Sequence, residues 1–331
     1  MVARLLARTV RGIEHVVAAE VAAIGRVERI RHREVWFTAP PTPAVLDIRT
    51  ADDVFLVGEV CTGIGHTRAD LDRVSRAAAR LPVDRLLALR TRCGGPAAGP
   101  GAEVVASFVG RRNFSRYDLE DAAGAALPGY VSRRRRVPPA GAPVGMSSWR
   151  LTVVGDEAVL ALRVAGRPLH RRPYRSRPVA GSLHPPLAAA LVRLAGVTAG
   201  MTVLDPCCGA GTLLLESPGR RLGLDASPAA LACARSNGLR AAVLADAGRL
   251  PVAAASVDRV LVNPPWDRQA RAHGRLATDP ARLWRSVRRV LRPDGLVAAI
   301  LPAPELPGLR VRTVLPVRVA GRPAHLVTAT R

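Results

Sequence analysis

Leu204-Asp205-Pro206-Cys207-Cys208-Gly209-Ala210-Gly211-Thr212 is the stretch that decides the fold. An apolar strand ends in an acid, a tight turn with two glycines follows, and a helical pattern begins. Glycine lets the backbone approach a ligand closely, and a helix start offers unpaired N–H groups. A lone Gly-x-Gly is weak evidence. The order strand, acid, Gly-x-Gly, helix is stronger, because it fits the crevice at the carboxyl ends of parallel strands. Working outward, strand patterns at 221–225, 241–246, 257–263 and 296–301 alternate with helical spacing at 187–194, 228–237 and 279–291. This alternation predicts an α/β, Rossmann-like, doubly wound and mostly parallel sheet. Residues 311–330 read as an antiparallel edge hairpin around Ala320-Gly321-Arg322-Pro323.

Three further signals lie at strand ends of that scheme. Gly223-Leu224-Asp225 places an acid after the second strand, where it can accept hydrogen bonds from ribose hydroxyls or help start the helix at Ser227-Pro228. Asp246, in Ala245-Asp246-Ala247-Gly248, follows the third strand and can reach an adenine amine; alone it would be an ordinary turn residue. The sharpest signal is Asn263-Pro264-Pro265-Trp266 after the fourth strand. An exocyclic base amine is a poor nucleophile because its lone pair is delocalised into the ring. The Asn263 Oδ1 and the Pro264 carbonyl can accept its two hydrogens and aim the lone pair at a sulfonium methyl. The prolines stiffen the turn, and Trp266 can stack on a base taken out of its helix. The bland alternative is a strand end with a Pro-Pro turn and a surface Trp.

Upstream, 3–10 reads as a strand, 12–24 as a helix, 27–38 as a strand pair around His32-Arg33, Pro43–Ile48 as a short helix and 54–60 as a strand. That β-α-β-β-α-β order is ferredoxin-like. Residues 68–92 carry Leu and Val at helical spacing, and 93–101 (Cys93 to Gly101) form a Gly/Pro break. A strand (103–109), a helix (119–127) and a strand pair (149–154, 158–164) follow. The predicted domains are 1–62 (ferredoxin-like), 63–166, a linker at 167–183, and 184–331.

The 331 residues carry 49 basic and 26 acidic side chains, a formal net charge of +23, and every basic residue is Arg. A GC-rich genome explains Arg in place of Lys; it does not explain the shortage of acids. A nucleic acid is the partner this predicts, ahead of an acidic membrane surface. Arg111, Arg112 and Arg116, the run Arg133-Arg134-Arg135-Arg136, and Arg171, Arg172 and Arg175 are the candidate phosphate contacts. Phe114 and Tyr117 interleave with the first cluster, though core packing suits Phe114 better. The five cysteines and seven histidines fit no zinc spacing, so no metal is expected. An odd cysteine count suggests a reducing, cytoplasmic compartment. No apolar run is long enough for a membrane span. Glu14 and Glu20 argue against an Arg-rich transit peptide over Met1–Val10. Cys207-Cys208 could suggest covalent attack on a cytosine, but both lie in the glycine turn.

On these residues, 180–331 resembles the class I methyltransferases that carry an Asn-Pro-Pro-aromatic motif. The resemblance implies S-adenosylmethionine as cofactor, bound at Ser182, Leu183, Asp205, Cys207, Gly209, Gly211, Thr212, Asp225, Ala226, Asp246, Ala247 and Asn263. It places the target amine at Asn263, Pro264, Pro265 and Trp266. The first half is similar to THUMP-containing RNA methyltransferases, through the ferredoxin-like opening, the Arg111–Tyr117 segment and Pro168-Leu169-His170-Arg171-Arg172-Pro173-Tyr174-Arg175 ahead of Leu183-His184-Pro185. Residues 63–166 would then be the THUMP module. The implied reaction is N2-methylation of a guanine in tRNA, at position six of the acceptor stem. Methylation of ribosomal RNA at guanine N2 or adenine N6 stays open, as does a catalytically inactive RNA-binding protein. Asp267 stands where relatives often have Gly and is a candidate general base. The oligomeric state stays open, leaning to a monomer.

Overall fold

A computed structural model describes residues 2–97, 99–135, 145–176, 181–265 and 274–331. The chain divides into two compact units. The first takes residues 1–8, 18–48 and 53–169; the second takes 9–17, 49–52 and 170–331.

The first unit is built on one seven-stranded sheet of β1 (Ala3–Arg8), β2 (Arg26–Arg31), β3 (Glu34–Ala39), β4 (Asp53–Cys61), β5 (Ala102–Phe108), β6 (Ser147–Val154) and β7 (Glu157–Arg163), in the order β2-β3-β1-β4-β7-β6-β5. Its β2-β3-β1-β4 part is antiparallel throughout and has the ferredoxin-like strand order. Helix α1 (Glu14–Val21) follows β1 in sequence, and a 3₁₀ turn at Pro43–Asp47 stands where the second helix was expected. Arg33, in the left-handed region at φ 61°, makes the tight β2–β3 turn. The helical run predicted over 68–92 is two helices, α2 (Leu71–Ala79) and α3 (Val83–Arg92). Pro82 separates them, since it lacks an N–H and disfavours helical backbone at the residue before it. A further helix, α4 (Arg116–Gly124), starts at a capping box in which Ser115 and Asp118 exchange hydrogen bonds.

In the second unit, β8 (Thr202–Asp205), β9 (Arg220–Asp225), β10 (Ala242–Leu244), β11 (Val257–Val262), β12 (Leu291–Leu301), β13 (Arg310–Val319) and β14 (Arg322–Thr330) form a sheet in the order β10-β9-β8-β11-β12-β14-β13. The first five are parallel, and the hairpin pairs antiparallel with β12 through β14. Helix α5 (Pro185–Leu194) leads into β8, and α6 (Thr212–Leu215), α7 (Pro228–Ser236) and α8 (Ala281–Val290) connect later strands. Apolar strand residues point to two cores: Val203, Leu261, Ala298, Ile300 and Leu326 on one side, and Leu204, Leu224, Val260, Val262 and Val297 on the other. Burial on both faces is why these strands are apolar runs rather than alternations. Strand order reverses at β8, between β9 and β11, and a ligand crevice opens at that point in folds of this type.

Candidate active site

The glycine turn is held by carboxylates. Asp205 closes β8 and is 1% exposed; its Oδ1 accepts the Cys207 N–H at 3.0 Å. Asp225 closes the neighbouring strand β9. Its Oδ2 accepts the Gly209 N–H at 2.8 Å and its Oδ1 the Ser227 N–H at 2.9 Å. The Asp225 carboxylate thus ties the turn to the start of α7, whose cap proper is the Ser227 hydroxyl on the Ala230 N–H. Gly209 and Gly211 both have positive φ, 53° and 81°. A Cβ at Gly209 would meet nothing within 4 Å, so the turn faces open space beside these acids. The helix it opens, α6, has only four residues, so the N–H groups of the turn matter more here than a helix dipole. Thr212 is buried as its first residue.

Asp246 stands after β10. Its Oδ1 accepts the Gly248 N–H at 2.7 Å and its Oδ2 the Arg275 N–H at 3.1 Å. Ala247 is buried beside it, while Ala226 is exposed. Asn263, after β11, donates from Nδ2 to the Gly181 carbonyl at 3.3 Å. That bond brings the Gly181–Ser182–Leu183 segment to the Asn-Pro-Pro motif. Leu183 itself belongs to the core. Asn263, Pro264 and Pro265 are all half-buried. Trp266, Asp267 and Arg136 lie outside the described residues.

Burial raises the Asp205 carboxyl well above the usual range, and the nearby Asp225 charge adds to this. The Cys208 thiol is pushed up chiefly by burial, with Asp205 and Asp225 contributing. Asp205, Asp225 and Asp246 also act together on Cys207, raising its thiol in the same direction after burial itself. The thiolate needed for attack on a base is therefore disfavoured at both cysteines. Among the described residues, no group of three or more His, Cys, Asp or Glu could hold a metal ion. Within the same range, no helix is long and apolar enough to cross a membrane.

The arginine clusters divide. Arg111, Arg116 and Arg171 are exposed. Arg116 lies over the Tyr117 ring at 4.8 Å and donates to its hydroxyl. Arg112, in contrast, donates to the backbone carbonyls of Ile64, Gly65 and Gly155. Arg133 pairs with the buried Glu120 at 2.8 Å, and Arg134 with Asp118 and Asp121. Arg135 stands in a 3₁₀ turn at Arg133–Arg135. Arg172 is 6% exposed and bound to Glu216. Arg175 is half-buried, its Nε out of reach of water. For Arg112 and Arg172 the expected phosphate contact is thus replaced by contacts inside their own units. Sequence reasoning missed Glu216, whose fully buried carboxylate receives Arg172, Arg49 and the Tyr174 hydroxyl. It also missed Asp52, which holds His184 Nε2 at 2.6 Å just after Ser182-Leu183. These partners lie 42 to 167 residues apart in sequence, beyond any local signal.

The strand order, the parallel core and the acid-flanked glycine turn of the second unit are those of a class I methyltransferase domain. Residues 204–299 match a family model described as methyltransferase domain, and residues 172–220 match the RMKL-like methyltransferase domain model of UPF0020. Domains of this class take their methyl group from S-adenosylmethionine. The chain is 38% identical, over 198 residues, to a tRNA (guanine(6)-N2)-methyltransferase of Thermus thermophilus, covering 54% of this chain and 55% of that protein. It is 33% identical over 153 residues to a U6 snRNA (guanine-N(2))-methyltransferase of Bos taurus, covering 42% and 30%. The chain therefore spans about half the length, or less, of these curated relatives. The crystal structure of TrmN from Thermus thermophilus is similar over 100% of both chains, with a TM-score of 0.76 and 29% identity.

Proposed function

We propose that this chain is an S-adenosylmethionine-dependent methyltransferase acting on the exocyclic N2 of a guanine in tRNA, at position six of the acceptor stem. The observation that carries the reading is the Asn263-Pro264-Pro265 turn at the end of β11, held by Gly181 and set beside the switch point where Asp205, Asp225 and Asp246 converge. The relatives described above support guanine in tRNA as the target.

The residues fit the cofactor. A carboxylate has about four lone-pair sites. Asp225 and Asp246 each give two to backbone N–H groups. The remainder face ligand hydroxyls and amines, at Asp225 for a ribose and at Asp246 for an adenine. Ser182, Leu183, Asp205, Cys207, Gly209, Gly211, Thr212, Ala226 and Ala247 shape the rest of that pocket. S-adenosylmethionine, when bound, supplies an electrophilic methyl group on sulfur. Asn263 Oδ1 and the Pro264 carbonyl accept the two amine hydrogens and turn the nitrogen lone pair toward that methyl. Pro265 stiffens the turn, and Trp266 stacks on the flipped guanine. One N–H proton must leave as the new C–N bond forms, and Asp267 is our candidate to receive it. Positioning of the two reactants carries most of the rate enhancement.

The exposed arginines Arg111, Arg116 and Arg171 contact RNA phosphates, and Arg134, Arg135 and Arg136 are our further candidates for such contacts. Residues 1–62 form the ferredoxin-like part, 63–166 the THUMP module, 167–183 the linker and 184–331 the catalytic domain. All five cysteines are free, as suits a cytoplasmic enzyme. Incubating the protein with tritiated S-adenosylmethionine and tRNA, then separating nucleosides, tests the proposal. Label in N2-methylguanosine is the expected result. Label in N6-methyladenosine would change the base, and no label in any RNA would leave a binding protein.

A further inference from the structure

Alternate residues of the first unit's strands lie on opposite faces of its sheet. One face is covered by α2 and α3, and a Cβ at Gly58 would collide with Leu81 between them and Leu86 of α3. The other face carries arginines contributed by widely separated strands. Arg150 of β6 donates to the Ser107 hydroxyl of β5 at 3.0 Å. Arg8 of β1 donates to the Thr152 hydroxyl of β6 at 2.9 Å. Arg163 of β7 reaches the Ser148 hydroxyl at 2.8 Å and the Asp53 carboxylate at 2.6 Å.

Arg150 is the odd member. Among the described residues it has no carboxylate partner, and its Nε is buried with no acceptor. Its neighbours Arg8, Arg163 and Arg33 repel it, and Asp53, which offsets them, is itself held by Arg163. Glu103 is taken by the Ser148 hydroxyl at 3.0 Å. Half-burying a cation among like charges, with a single hydroxyl as its hydrogen-bond partner among the described residues, costs free energy that Asp53 offsets only in part. A bound anion would return it.

From this cluster we infer a phosphodiester-binding site on this second face of the sheet, formed by the half-buried Arg8, Arg150 and Arg163 with Thr152 and Ser107 as neutral donors. Its ligand is the backbone of the RNA substrate, so the inference rests on the proposed RNA methylation. Sequence clusters could not reveal the site, because its three arginines come from three separate strands.

The test uses the full chain and an unmodified tRNA transcript, with affinity measured by fluorescence anisotropy across a salt series. Arg150→Gln is expected to weaken binding about 10-fold and to lower the log–log salt slope by about one, as for one lost phosphate contact. Its melting temperature without RNA should hold or rise, because a repelled cation has been removed. Falling affinity with unchanged or rising stability is a pattern that a purely structural arginine would not give. Arg8→Gln approaches the site from another strand and should move affinity and slope the same way. It decides the matter if Arg150→Gln does not fold. Unchanged affinity and slope in a folded variant overturn the site while leaving the methylation proposal intact. Failure of the unsubstituted protein to bind tRNA overturns both.

Discussion

The two units use their charged side chains differently. In the second, Asp225 and Asp246 each accept two backbone N–H groups and still have lone pairs left over. In the first, Arg112 lies in a segment that looks equally suited to a ligand, yet its guanidinium is committed to three backbone carbonyls. A carboxylate can build its own turn and hold a ligand as well. A guanidinium has its donors in one rigid plane, so once that plane points inward little of it remains for a phosphate. Charge in the sequence is therefore better evidence for a site when it is acidic and at a strand end than when it is basic and in a cluster.

Glu216 sharpens this contrast, because its carboxylate is filled. Oε1 takes Arg172 Nε at 2.8 Å and the Tyr174 hydroxyl at 2.6 Å, and Oε2 takes Arg49. Glu216→Ala would strand a buried arginine and should cost about 3–5 kcal/mol in chemical denaturation. A loss near zero would mean that filled and half-filled carboxylates do not differ in role.

Asn263→Ala comes next. Methyl transfer in single turnover should fall about 100-fold, the scale of a lost positioning contact. Cofactor affinity by calorimetry should stay close to that of the parent, and unchanged turnover would sink the assigned role of the motif. Arg112→Gln should then lose about 1–3 kcal/mol of stability by leaving carbonyls without a donor. Arg116→Gln should leave stability alone and weaken RNA binding a few-fold. The reverse assignment would break the distinction between committed and exposed arginines.

The smallest effect is acid-dependent. Asp118 accepts the Ser115 N–H at 2.7 Å, and this bond, aided by the Ser115 hydroxyl and Arg134, holds its carboxyl at about 2. A folded value below the unfolded one, near 4, means stability is present above pH 4 and lost as pH falls toward 2. Asp118→Asn should cost about 1 kcal/mol or less at neutral pH. That cost should shrink to nothing by about pH 2 in thermal melts.

The second unit was readable because its signals are local. A strand, an acid and two glycines lie within nine residues at Leu204–Thr212, and each later strand end repeats a short pattern. The departures have physical causes. Strand β12 begins at Leu291 instead of 296, because pairing with Val257 of β11 carries the ladder past Pro293-Asp294-Gly295, a turn-like triplet. In the first unit, the strands of 1–62 and those of 63–166 join one sheet through β4 and β7, a pairing between residues about a hundred apart. The partners of the buried Glu216 are also non-local, 42 to 167 residues away, while Glu120 meets Arg133 across 13 residues and an intervening turn. Each looks like an ordinary surface acid until the arginine that meets it is known.

Among the described residues, strand β13 ends its sheet with no strand on its outer side, and Val311 and Val314 on it are exposed. Such an edge invites a second chain to add itself by backbone hydrogen bonding, which is a route to aggregation. The strand carries Arg310, Arg312 and Arg318 with Pro316 between them. Two copies meeting edge to edge would bring six guanidiniums together across a proline that cannot donate. Because a guanidinium does not lose its proton at any pH a cell reaches, this guard against self-association would stay charged throughout the life of the protein.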